Sequence, residues 1–124
     1  MSGWTKDELD RLGRADELRL ASRRDDGTSG RFVTIWAVRT GDDLYVRSAY
    51  GPENGWFVRA KVAGAGRVQA GGVERDVAFE VPTPDVAGDV TAAYHAKYDR
   101  YGAHMVGTVV SDQAVASTLR VVPR

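Results

Sequence analysis

Two periodicities divide the chain. Near the start, Thr5 stands three residues before Glu8, the spacing of a capping box, and Leu9 and Leu12 then fall on one helical face. This predicts a helix over residues 5–15, with Asp7 and Glu8 as first-turn residues favoured by the helix dipole rather than a carboxylate pair for chemistry. Leu18 to Arg23 alternates as a strand does, and residues 24–30 are turn sequence throughout. Residues 31–39 read as the strongest strand. Phe32, Thr34, Trp36 and Val38 share one face and Val33, Ile35 and Ala37 the other, so it should be covered on both sides. Residues 40–43 turn it into a partner strand over 44–49.

Residues 50–55 break the alternation, and Asn54 can cap a helix running through Lys61, ended by Gly64 and Gly66. A second hairpin follows, 67–70 and 73–81 joined at Gly71-Gly72, with Val73, Val77, Phe79 and Val81 opposite Glu74, Asp76 and Glu80. Pro82 and Pro84 stop it. Val90, Tyr94, Tyr98 and Tyr101 then recur at helical spacing up to Gly102, and their rings should pack on the strands while the hydroxyls reach water. A second short helix begins at Ser111, and residues 118–122 form a last strand. The sum is about six strands with no connection suited to a parallel crossover. The expected fold is mainly β, an antiparallel barrel with peripheral helices, in a single domain over 1–124: barrel 18–81, helices about 89–116.

Composition narrows the function classes. Seventeen basic residues balance seventeen acidic ones with no basic stripe, against a nucleic-acid partner. The absence of cysteine removes disulfides and thiolate chemistry and fits a reducing compartment. No apolar run reaches a bilayer-spanning length and no secretory n-region precedes one, so the expectation is cytoplasmic, without a membrane partner.

Most catalytic patterns are missing. No serine sits in a Gly-x-Ser-x-Gly elbow, the Rossmann and P-loop glycine fingerprints are absent, and two isolated histidines, His95 and His104, offer no zinc spacing. No metal site is expected, and no catalytic residue is assigned. Trp36 and Trp56 each stand beside polar or glycine-rich sequence at a predicted barrel rim, where an indole serves the core or walls a planar ligand. Arg31, Arg47 and Ser48 come to the same end of the barrel through the hairpin. Asn54-Gly55 opens a helix whose free N–H groups can face an anion. Arg59 and Lys61 lie two apart on that helix, about 200° around its axis, so they cannot both reach one phosphate.

The order Ser29-Gly30-Arg31, Trp36-Ala37-Val38, Leu44 to Ala49, Gly51, Trp56-Phe57, Lys61, Val68-Gln69 and Gly71-Gly72 resembles the deazaflavin-dependent nitroreductases, relatives of the pyridoxamine phosphate oxidase-like flavin-binding split barrels. With the Trp4 helix, Ala93-Tyr94, Lys97-Tyr98 and the Thr118 to Arg124 ending, the whole chain resembles a bacterial domain-of-unknown-function family of the 2255 type. The resemblance implies a six-stranded, FMN-binding-like split barrel. It also implies a homodimer with FMN or a deazaflavin at the subunit interface, and an oxidoreductase of unspecified substrate. It places Ser29, Gly30 and Arg31 on the cofactor's phosphate side, Ser48 and Gly51 in the cradling loop, and Trp56 and Lys61 on the adjacent helix. Ala49 stands where nitroreductases tend to carry a basic residue, and Trp36 where the oxidases carry lysine. Those departures favour the alternative, a non-enzymatic split-barrel dimer that binds another small ligand or none.

Overall fold

The computed structural model describes residues 3–124; Met1 and Ser2 of the expected domain lie outside the described residues. The strands are β1 (Leu18–Ser22), β2 (Val33–Ile35), β3 (Ala37–Thr40), β4 (Asp43–Val46), β5 (Ala65–Ala70), β6 (Val73–Glu80) and β7 (Leu119–Pro123). All seven join one sheet in the order β2-β1-β5-β6-β7-β4-β3, every pairing antiparallel. The sheet curls into a nearly closed barrel whose two edges, β2 and β3, are consecutive in the chain.

The seventh strand comes from a break in the segment expected as one strand over 31–39. Trp36 interrupts it, and Arg31 and Phe32 lie before β2. The Tyr94 hydroxyl donates to the Trp36 carbonyl at 3.0 Å, and the Trp36 ring stacks on Tyr98 with centroids 4.0 Å apart and planes 3° apart. Residue 36 therefore spends its carbonyl and its ring on a helix rather than on the sheet. The expected faces survive the break: Val33, Ile35 and Ala37 join one apolar cluster, Trp36 and Val38 the other.

The first cluster fills the barrel with Leu18, Leu20, Leu44, Val46, Val68, Val77, Phe79, Leu119 and Val121. Helix α1 (Lys6–Arg14) adds Leu9 and Leu12, and α2 (Gly55–Ala63) adds Phe57 and Ala60. The Thr5–Glu8 capping box forms in both directions. Asn54 Oδ1 accepts from the Trp56 N–H at 3.3 Å and starts α2, while Gly64 ends it in the left-handed region. Gly66 does not belong to that helix end. It lies within β5, where neighbouring atoms leave no room for a Cβ. In the β5–β6 hairpin Gly71 and Gly72 both take positive φ, 56° and 83°, as a tight two-residue turn requires. Val81 falls beyond β6 and is exposed, not inward-facing.

The second cluster lies on the outer face, where Val38 and Tyr45 meet α3 (Ala87–Tyr98) and α4 (Ala103–Val110). The expected 3.6-residue stripe of α3 is present, but its hydroxyls do not reach water. Tyr94 and Tyr98 are both 0% exposed, and Tyr98 donates to the Asp16 carbonyl at 2.8 Å with the Ala37 carbonyl 3.2 Å away. The helix thus faces its own barrel; only Tyr101, in the following turn, is exposed. Ser111 caps the short α5 (Asp112–Val115), accepting from the Ala114 N–H. Helix α4 has no counterpart in the sequence reading, because its glycine and β-branched residues mask its periodicity.

Candidate functional site

Beside β2 and Trp36, the residue that links it to β3, lies a cleft of about 530 Å³. Its walls are Val33 to Trp36 on one side, Ala49, Tyr50, Asn54 and Trp56 on another, and His104, Met105, Thr108 and Val109 of α4 on the third, with Arg47 at its border. No carboxylate lines it. This volume and this largely apolar lining with a few polar groups are those of a small-molecule site.

Arg47 is the main polar feature. It is 1% exposed. Its Nε donates to Thr118 Oγ1 at 2.9 Å, Nη1 to Thr91 Oγ1 at 2.9 Å and to the Val109 carbonyl at 3.0 Å, and Nη2 to the Ala87 carbonyl at 3.1 Å. The guanidinium carbon lies 5.5 Å from the Tyr94 ring centroid. All its partners are neutral, and burial holds its pKa below the usual arginine value. The carbonyl of Val109, in the last turn of α4, supplies part of a compensating dipole. Arg47 is thus a buried clamp joining the end of β4 to α3, α4 and the residue just before β7.

A second, basic cleft of about 950 Å³ is lined by Arg23, Arg24, Gly30 and Arg31 and by Val58, Arg59 and Val62 of α2. It has no lining residue in common with the first, but both draw on the 30–36 segment and on α2. A Cβ built on Gly55 would meet Arg59 Nη1 at 2.9 Å, so this guanidinium folds over the helix start and adds to its positive end.

The site residues expected from sequence therefore separate. Trp36, Arg47, Asn54 and Trp56 come together at the apolar cleft, and Gly30 and Arg31 at the basic one. Ser29 lines a smaller depression with Arg23 and Arg124. Ser48 is 0% exposed; its backbone exchanges hydrogen bonds with Ser117 Oγ, and its own Oγ has no partner among the described residues. Gly51 is buried at φ 89° against Gln113, a conformation a side chain would strain. Gly55 is exposed at the start of α2, and Lys61 is exposed and lines none of these clefts. The α4 wall was missed with its helix, and Tyr50 because a single side chain beside a loop carries no spacing signal; Ala49 enters the sequence reading only as a departure from the nitroreductase pattern. Among the described residues no cluster of three metal-ligating side chains exists, and no helix is long and apolar enough to cross a membrane.

The architecture is a split barrel that several solved structures share. An F420 reductase shares it at TM-score 0.58 and 19% identity, over 93% of this chain and 90% of that one. A conserved hypothetical protein from Mycobacterium tuberculosis aligns at TM-score 0.63 and 15% identity, over 98% and 81%. A FAD-binding protein from Mesorhizobium loti aligns at 0.56 and 18%, over 98% and 91%. No curated protein matches the chain. The family model described as "uncharacterized protein conserved in bacteria", DUF2255, matches residues 8–121, and the chain belongs to that family.

A third cleft carries a titrating group. Lys97 Nζ donates to the Ala37 carbonyl at 2.7 Å, and burial pushes its pKa down to about 8 against the pull of Asp16, with Arg100 lowering it further. Burial moves Tyr94 and Tyr98 upward instead. Between about pH 8 and the ordinary lysine range the unfolded chain holds the Lys97 proton that the folded chain has released, so stability rises with pH there. Above about pH 10 the unfolded tyrosines ionise first and stability falls. Urea denaturation across this range should show the rise in the wild type and lose it in Lys97→Met; a flat wild-type profile contradicts the assignment.

Proposed function

We propose that the protein binds a flavin or deazaflavin and serves as an oxidoreductase, with the planar ring in the apolar cleft and the phosphate toward the basic one. The carrying observation is the acid-free cleft holding both Trp36 and Trp56, with a second cleft lined by Arg31 and Arg59 built from the same two segments of the chain. When bound, such a cofactor supplies hydride transfer. The chain's own part is to bind, orient and desolvate. Trp36, held rigid by its stack on Tyr98, and Trp56 offer flat apolar surface. Arg47 gives the cleft positive potential suited to an electron-rich ring edge. Arg31, Arg59 and the start of α2 at Gly55 offer donors to phosphate, with Gly30 letting the backbone approach closely. Lys61 and Ser29 stand outside this core set, and Ser48 and Gly51 act by shaping the loop. Val62 is 83% and Tyr50 79% exposed beside the two clefts, apolar surface that a second copy of the chain would cover in a homodimer.

Titration with FMN and with the deazaflavin cofactor, followed by tryptophan fluorescence, tests the reading. Saturable quenching with a Kd near or below ~10 µM is expected. Replacing both Arg31 and Arg59 with alanine should weaken FMN about tenfold more than riboflavin. No binding of either cofactor at about 1 mM rejects it. One observation favours a second reading, a non-catalytic barrel for a small apolar ligand: Arg47 is committed to internal acceptors rather than free for phosphate. Quenching by planar apolar compounds without cofactor binding would select it.

A further inference from the structure

The third cleft, about 490 Å³, lies between α1, β3 and α3, with Asp10, Arg14, Val38, Arg39, Ala93 and Lys97 on its walls. It is separate from the clefts assigned to the cofactor, and nothing in that reading uses it. Its charges are unequal. Arg39 Nη1 pairs with Asp10 at 2.5 Å, which accounts for the one carboxylate on the wall. Arg14 donates from Nε to the Asp10 backbone carbonyl at 3.3 Å and has no carboxylate partner among the described residues. Just outside, Asp16 pairs with Arg100 and accepts from the Tyr101 hydroxyl at 2.6 Å, so it too is occupied. The cleft is therefore cationic: neither Lys97 nor Arg14 forms a salt bridge among the described residues, and Lys97 feels Asp16 only at longer range.

Lys97 is held for reaction rather than swinging in solvent. Its Nζ is fixed by the Ala37 carbonyl at 2.7 Å and lies 5.0 Å from the Tyr98 ring centroid. A neutral amine keeps an N–H for that carbonyl and still has its lone pair free, so deprotonation costs no hydrogen bond. Partial burial favours that neutral form, which is the nucleophile.

We propose that Lys97 is a reactive amine that forms a reversible imine with small aldehydes bearing a carboxylate, the carboxylate being received by Arg14. The Nζ lone pair adds to the carbonyl carbon, a proton passes from nitrogen to the carbonyl oxygen, and loss of water leaves a C=N bond. No oxidant or reductant takes part.

The chain has three lysines, Lys6, Lys61 and Lys97, so two internal controls exist in the native protein. Glyoxylate is added to the folded protein at pH 7.5, the imine is trapped with borohydride, and peptide mass spectrometry gives the occupancy of each lysine. Lys97 should carry more than about tenfold the adduct of either control, as expected for an amine deprotonated well below the usual lysine range. Its labelling should level off above about pH 8. The neutral methyl ester of glyoxylate should lose at least about fivefold of the selectivity, as should glyoxylate with Arg14→Ala, since each removes one charge-assisted contact. Equal labelling of the three lysines overturns the proposal. Selective labelling that is identical for acid and ester overturns the anionic ligand.

Discussion

Gly66→Ala is expected to cost more than about 4 kcal/mol and to leave little folded protein. A Cβ at this position would lie 2.0 Å from the Ala21 carbonyl oxygen and 2.8 Å from Phe79 Cε2. A flexible side chain could yield to the second contact. The first is with backbone, in a strand paired to β5 at Ser22 and Gly66, while β6 pairs Val77 with Gly66 on the other side. Neither neighbour can retreat without breaking its own ladder. Phe79→Leu frees the ring contact alone, so it should not rescue Gly66→Ala. Urea denaturation of any soluble fraction measures the cost, and a loss below about 1 kcal/mol would show that the strand adapts in a way this geometry forbids.

Arg47→Met should lower stability by roughly 3 kcal/mol, with a fall in Tm of about 10 °C or more. Methionine replaces much of the stem but none of the donors. Thr118 keeps its own bond to the Val115 carbonyl at 2.8 Å and Ala87 opens α3, where the helix ladder also uses its carbonyl, whereas the buried carbonyl of Val109, in the last turn of α4, loses the arginine that served it. An orphaned buried acceptor costs about 1–3 kcal/mol, and the lost bonds to Thr91, Thr118 and Ala87 add to it, against which the relief of removing a buried charge is set. Arg47→Lys should be no better, because one ammonium cannot span acceptors on α3, on α4 and at Thr118 at once. Thermal melts of both variants decide it; either one melting like the wild type removes Arg47 as the clamp.

The sequence revealed elements whose signals are local. The Thr5–Glu8 box, the Asn54 cap and the Gly71-Gly72 turn each rest on side chains within a few residues of the backbone they serve, and all three form. The alternating faces from Val33 to Val38 were legible for the same reason. What stayed hidden depends on partners far away in sequence. Trp36 breaks its strand because Tyr94, 58 residues on, takes its carbonyl. Gly66 looks like a helix terminator until Phe79 and Ala21 are brought against it. Arg47 looks like a rim cation until four acceptors enclose it. The candidate site was half legible: the two indoles could be placed beside a rim from their neighbours, but no spacing rule divides Arg31 and Trp36 between adjoining clefts.

The position of β7 has a consequence for biosynthesis. Residues 119–123 are inserted between β6 and β4, in the interior of the sheet, and supply Leu119 and Val121 to its core. During translation the first six strands thus emerge as two separate groups, β2-β1-β5-β6 and β4-β3, each presenting an unpaired edge. No ladder joins them until those residues have cleared the ribosome. Until then the nascent chain carries open edges of the kind that recruit foreign strands. Closure waits on one short segment.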